Sequence, residues 1–200
     1  MLDTYAVAEF DLNAYRKETE LSDGTRILLR PMVTTDKHAL YEFFKAVPEE
    51  ESGYLRDDVS SILLCEKWAD NLDYNKTLPI LAVKEGKIIA DATINRRRSG
   101  WKWHLGTVRI FVHKDYRNVG LARRMIEELS TIAYKLRLEK LLAEIPDTST
   151  SAINAFTRAG YYRAAVIPNL AKDRDNMPMD IVVMIKDIQP ARVDIFEFDF

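Results

Sequence analysis

The chain has 200 residues, 47% of them hydrophobic, and its 29 basic and 31 acidic side chains leave a formal net charge of −2. Such a length suits one α/β domain with some extra terminal structure. The near-neutral balance argues against dedicated nucleic-acid binding, which needs a basic surface. The single cysteine, Cys65, excludes an intramolecular disulfide and a cysteine-rich zinc site. Set in the apolar run Ile62-Leu-Leu-Cys65, it reads as a buried, inert thiol. The start, Met1-Leu-Asp3, brings an early acid and no basic segment before an apolar core, unlike a secretory signal. Apolar runs such as Ile181–Ile185 are too short to span a bilayer, so a cytoplasmic enzyme is expected.

In chain order, residues 1–20 are mixed and carry no clear period. Asp23-Gly24 marks a turn, and Thr25–Arg30 reads as a strand stopped by Pro31. Thr35 or Asp36 suits the cap of a helix running to about Val47, with Leu40, Phe43, Phe44 and Val47 at helical spacing. A second helix is expected from about Asp58 to Asn71, turning Ile62, Cys65, Trp68, Ala69 and Leu72 inward. The period then changes. Leu78–Val83 and Lys87–Asn95 read as strands joined by the hairpin turn Glu85-Gly86. After the turn at Ser99-Gly100 a strand is expected from about Lys102 to His113. Asn118 suits an N-cap, and residues 119–137 form the clearest helix, striped by Ala122, Met125, Ile126, Leu129, Ile132, Ala133 and Leu136. Leu141–Ile145 is a short strand, and Ser151–Ala159 a short helix closed by Gly160. Tyr161–Val166 and Met179–Lys186 are final strands around a polar loop at 170–178. This order predicts one mixed α/β sheet with helices on its faces.

The segment Val108–Arg124 carries the most chemistry: an apolar strand, a tight polar turn, and a helix that opens on Gly120 and is followed at once by Arg123 and Arg124. Open backbone N–H groups at such a helix start bind anions, and a pyrophosphate is the natural guest. Glycine costs a helix roughly 1 kcal/mol against alanine but lets phosphate approach the backbone. Tight helix–sheet packing is the other reading of Gly120, and solvation the other reading of the two arginines.

Arg117-Asn-Val-Gly120-Leu-Ala122 resembles the (Gln/Arg)-x-x-Gly-x-(Gly/Ala) loop of the GNAT family, the acyl-CoA-dependent N-acyltransferases. Ala152-Ile-Asn-Ala-Phe-Thr-Arg-Ala-Gly-Tyr161 is similar to the family's later Ala-Ile-x-Leu-Tyr-Glu-Lys-x-Gly-Phe segment, and the element order fits over about 25–187. Ser22–Pro31 also looks like the start of GNAT domains that acetylate acyl-CoA synthetases. The resemblance implies a central, mostly antiparallel sheet, splayed at the cofactor site, with helices on both faces. It implies an N-terminal extension over 1–24, an acetyltransferase domain over 25–187 and a C-terminal tail over 188–200.

By the same resemblance, acetyl-CoA is the cosubstrate and no metal is required. Arg117, Asn118, Val119, Gly120, Leu121, Ala122 and Arg123 would hold the pyrophosphate, and Ile110, Phe111 and Val112 the pantetheine arm. A β-bulge commonly makes the implied splay, and the N–H of Phe111 or Val112 would face the thioester oxyanion. Asn154, Phe156 and Arg158 would contact CoA from the short helix. Acyl transfer to an amine needs a neutral nucleophile, and an ammonium of pKa roughly 10.4 needs a base. Glu144, in an otherwise apolar strand and twelve residues before Phe156, is the leading base; an outward-facing strand glutamate is the other reading. His104, His113 and Asp91 are lesser candidates.

Three departures from the family pattern stand out. Phe156 replaces the tyrosine that protonates the departing thiolate, leaving Tyr161, Tyr162, Ser151 or water to do so. Thr107 stands where synthetase-acetylating members tend to carry a glutamate. Ser149 replaces a common asparagine. The expected function is therefore an N-acetyltransferase acting on a small-molecule or protein amine, with a catalytically weak CoA-binding regulatory module as the alternative. Arg96–Arg98 beside Trp101 and Trp103 suggests a basic, aromatic hairpin, either a receiver of acidic partners or a solvated turn with its tryptophans packed inward. Neither nucleic acid nor a membrane is an expected partner. The tail Val193–Phe200 alternates acids with large apolar groups, as an edge strand or homodimer contact would, or a disordered terminus.

Overall fold

The computed structural model describes residues 11–48, 61–173 and 175–188. Eight strands form one sheet in the order β1-β2-β3-β4-β5-β6-β8-β7. They are β1 (Lys17–Glu20), β2 (Arg26–Pro31), β3 (Thr77–Lys84), β4 (Lys87–Arg96), β5 (Leu105–Val112), β6 (Lys140–Pro146), β7 (Tyr162–Lys172) and β8 (Pro178–Asp187). Every neighbouring pair is antiparallel except β5 with β6. Among the described residues four α-helices cover it: α1 (Lys37–Lys45), α2 (Ile62–Asp70), α3 (Leu121–Lys135) and α4 (Thr150–Arg158). The mixed α/β fold, with a mostly antiparallel sheet, is the expected one.

Strand alternation divides the core in two. Leu78, Ile80, Ala82, Ala90, Ala92, Ile94, Val108, Leu141, Ala143 and Ile145 face α3 and α4, where they meet Met125, Leu129, Ile132 and Phe156. Leu81, Ile88 and Phe111 face the other way, against Leu40, Phe43, Phe44, Cys65 and Ala69 of α1 and α2. β4 is covered on both sides, which is why it reads as an almost unbroken apolar run. Glu85 and Gly86 both take positive φ, 50° and 77°, as the two-residue β3–β4 hairpin requires.

Several expectations need correction. β5 begins at Leu105, because residues 101–104 turn; Trp101 (84% exposed) and Trp103 (52%) stand in solvent rather than packing inward. Asn118 does not cap α3: it has φ 63°, and Gly120 at φ 83° is the residue that precedes the helix. On α2, Cys65 and Ala69 are fully buried but Ile62 is exposed. β7 runs on to Lys172, so the final loop is shorter than 170–178, and β1 pairs with β2 where no strand was expected. The start of the second helix at Asp58 and the tail from Val193 lie outside the described residues. Among those described, no helix is long and apolar enough to cross a membrane.

Candidate active site

β5 has two unlike edges. Toward β4 it is paired from Gly106 to Val112; toward β6 only Leu105–Thr107 pair, with Lys140–Leu142. β6 instead stays with β8 as far as Pro146. The parallel strands therefore part after Thr107, and Val108–Val112 is left with an open edge. No register shift interrupts β4–β5, so the divergence is not made by the β-bulge expected there. The N–H of His113 donates to the Ile89 carbonyl at 2.9 Å. By the alternation of an antiparallel ladder, the N–H of Phe111 then also faces β4, while those of Ile110 and Val112 face the gap. Of the two oxyanion donors inferred from sequence, only Val112 is directed into the opening.

The chain leaves β5 through a 3₁₀ turn, Lys114–Tyr116, and reaches α3 by way of the two left-handed residues Asn118 and Gly120. Arg124 N–H donates to the Gly120 carbonyl and begins the helical ladder. Among the described residues, no acceptor meets the N–H groups of Asn118, Val119, Gly120, Leu121, Ala122 or Arg123. The loop is pinned from behind, since Ser22 donates from its N–H (3.3 Å) and its hydroxyl (2.8 Å) to the Val119 carbonyl. A Cβ on Gly120 would meet only Ser22 Oγ, at 3.8 Å. The front of the loop is thus a run of donors at a helix N-terminus, a cradle for an anion.

The arginines divide their work. Arg117 donates from Nε to the Val112 carbonyl (3.2 Å) and lies over the Phe111 ring. Arg123 pairs with Glu127 at 2.7 Å. Arg124 is exposed and makes no ion pair among the described residues. On β6, Leu141, Ala143 and Ile145 point toward α3, so Glu144 projects from the opposite face. Continuing the β5–β6 register would set it beside Arg109 across the gap.

The remaining candidates scatter. Asn154 and Arg158 are on the exposed side of α4. Phe156 is buried, edge-on to Tyr161 at 4.9 Å, within the α3-side core. The Tyr161 hydroxyl is buried there too, its pKa pushed up by burial, away from the Glu144 face. Tyr162 and Ser151 are exposed. His104 lies at the closed, paired end of β5, and His113 accepts the Asp115 N–H through Nδ1.

The α1/α2 face holds what the sequence reading missed. A cavity of about 380 Å³ lies between these helices and β3–β5. Its floor is Asp91, 5% exposed, whose carboxylate receives, among the described residues, only long bonds from the Thr93 hydroxyl, at 3.3 and 3.4 Å. Burial pushes the Asp91 carboxyl above its ordinary range, against the pull of Arg109. The Arg109 guanidinium also lines the cavity, 5.8 Å over the Trp68 ring. Asp91 was read only as a lesser base, Trp68 only as an inward-facing helix residue, and Arg109 was not singled out. The available signal was a charge inside each of two otherwise apolar strands.

Solved structures similar to this one have acetyltransferase folds. The GNAT domain of S. lividans PAT superposes with a TM-score of 0.71 at 20% identity, over 86% of this chain and 96% of that one. The ribosomal-protein-S5-alanine acetyltransferase from Vibrio fischeri gives 0.75 at 14%, over 88% and 98%. A putative acetyltransferase from Salmonella typhimurium, solved with its cofactor acetyl-CoA, gives 0.70 at 14%, over 83% and 96%. No curated protein matches the sequence. The family model described as the acetyltransferase (GNAT) family matches residues 38–161, more than half of the chain. The open loop, the parted strands and that match agree: the chain belongs to the GNAT acetyltransferase family and is an acyl-CoA-dependent N-acyltransferase.

Proposed function

We propose that the protein moves an acetyl group from acetyl-CoA to a primary amine by direct attack of the amine on the thioester. The observation that carries the reading is the row of open amides from Asn118 to Arg123, set at the mouth of the β5–β6 gap. Those amides fit a diphosphate, and Arg124 adds an unpaired cation beside them. The open edges of Ile110 and Val112 suit the amide groups of an extended arm lying in the gap. Bound acetyl-CoA supplies an activated acyl carbon and a thiol leaving group.

The Val112 N–H supports negative charge on the acyl oxygen. Glu144 takes the proton of the incoming ammonium, from the face of the gap shared with Arg109 and Phe111. No tyrosine is needed at position 156, since a thiol of pKa near 8.5 departs tolerably as thiolate when the C–S bond breaks, and the second proton of the newly acylated nitrogen reaches that thiolate through water. The catalytic unit spans 25–187 and acts in the cytoplasm, without nucleic acid or membrane.

Calorimetric titration with acetyl-CoA tests the reading. Binding is expected in the micromolar range and about ten-fold weaker in Arg124→Glu, a change at an exposed residue that leaves the fold intact. No binding at millimolar acetyl-CoA would overturn it. Binding without CoA release across a broad amine panel would leave a regulatory module in place of the transferase.

A further inference from the structure

We infer that the cavity under α1 and α2 is a recognition site for a small zwitterion, an α-amino acid with an apolar side chain, which serves as the acetyl acceptor. As to the acceptor role, the inference rests on the transferase reading; as to binding, it stands alone. Asp91 and Arg109 carry opposite charges into one cavity, which Lys67 and Asp73 also line, yet no ion pair or hydrogen bond joins Asp91 to Arg109. Among the described residues the Asp91 carboxylate receives hydrogen bonds only from one distant hydroxyl, and the charge of Arg109 offsets its desolvation cost only in part. A guanidinium held over an indole ring keeps its donor fork free for a carboxylate. A ligand bearing an ammonium and a carboxylate close together satisfies both groups at once.

The position agrees. Asp91 lies opposite Phe111 and Thr93 opposite Arg109 in the β4–β5 ladder, so the clamp sits directly under the stretch of β5 whose far edge opens into the gap. The size agrees as well: about 380 Å³ is at the small end of ligand cavities, which run roughly 300–1,000 Å³. Phe44, Trp68 and Leu72 wall the space with apolar surface, which selects the side chain. A polypeptide lysine offers an ammonium but no neighbouring carboxylate for Arg109.

The test titrates the full chain with L-methionine, L-leucine and L-phenylalanine, each beside its decarboxylated amine and its N-acetyl derivative, with and without CoA. Each amino acid is expected to bind at least ten-fold tighter than its amine or its N-acetyl form. Arg109→Gln should erase the preference for the amino acid over the amine, and Asp91→Asn the preference over the N-acetyl form. Acetyl-CoA affinity should stay unchanged in both variants. Equal affinity of the intact protein for an amino acid and its amine, or no binding of any amino acid, overturns the inference, and neither result depends on a variant folding. Binding of lysine-bearing peptides in preference to amino acids would also overturn it. Failure of acetyl-CoA to bind would instead strike the transferase reading, while the amino-acid titration without CoA still decides the cavity.

Discussion

The two faces of the sheet are built from the same strands and solve different problems. Toward α3 the interior is almost wholly apolar, with the Tyr161 hydroxyl buried in it. Its one buried acid among the described residues, Glu128, is answered by the hydroxyl of Tyr15 and the ammonium of Lys17. Toward α1 and α2, β4 presents Asp91 and Thr93 and β5 presents Arg109, with a cavity above them and no ion pair or hydrogen bond between Asp91 and Arg109. Successive residues of β4 serve both: Ala90, Ala92 and Ile94 fill one core, while Asp91 and Thr93 line the other side. A period of two lets a single strand hold the domain together and carry unsatisfied polar groups to a ligand. The α3 face should therefore govern stability, and the α1/α2 face acceptor binding and turnover.

The largest expected effect lies on the second face. Glu144→Gln removes the proposed base and should lower kcat about 10²–10⁴-fold, the usual worth of a positioned general base. The affinity for acetyl-CoA should hardly move, because Glu144 stands across the gap from the phosphate loop. Steady-state kinetics beside calorimetry reads both numbers. Unchanged kcat would take Glu144 out of the reaction and leave the chemical asymmetry of the faces to Asp91 and Arg109 alone.

On the first face a smaller loss is expected at Gly106, where β5 meets β6 just before they part. A Cβ there would meet Leu141 Cδ2 at 2.8 Å, and Ile94 Cγ2 and Leu138 Cδ1 at 3.0 Å. Overpacking of this kind costs about 1–3 kcal/mol. Gly106→Ala should lower the urea midpoint with its slope unchanged, and leave the acceptor KM alone. A raised acceptor KM without loss of stability would show that the faces are coupled through the β5–β6 contact.

How much of this was legible in the sequence follows from the range of the forces involved. The α3 stripe, the Glu85-Gly86 hairpin and the glycine opening α3 are set by neighbours a few residues apart, and each is found where the pattern puts it. Trp101 and Trp103 misled because large aromatics favour burial on average, whereas a tight turn at 101–104 holds these two in solvent. Asn118 looked like a cap because its side chain can accept a bond, but its left-handed backbone leaves that task undone. The Asp91–Arg109 clamp needs the β4–β5 register and the two helices above it, so no local pattern reports it. Arg109 in particular reads as an ordinary outward residue of a half-exposed strand until Trp68 is brought over it.

The smallest effect, and the sharpest test of the comparison, is the stability of Asp91→Asn. Burial holds the Asp91 carboxyl above its ordinary value, whereas in the unfolded chain it titrates near about 3.9. In the window between the two, the native state keeps a proton that the unfolded state has released. Stability therefore falls as pH rises through that window, and the penalty is fully present above it. Asparagine has no such term. The variant should melt above the parent at neutral pH, in a domain of a size where each kcal/mol is worth about 2–4 °C. The difference should vanish below about pH 3, where the aspartate is protonated in both states. A residue whose replacement stabilises the fold while weakening ligand binding is kept for the ligand. Melting curves that coincide at every pH would mean that the protein itself compensates this carboxylate, as Tyr15 and Lys17 compensate Glu128 on the other face.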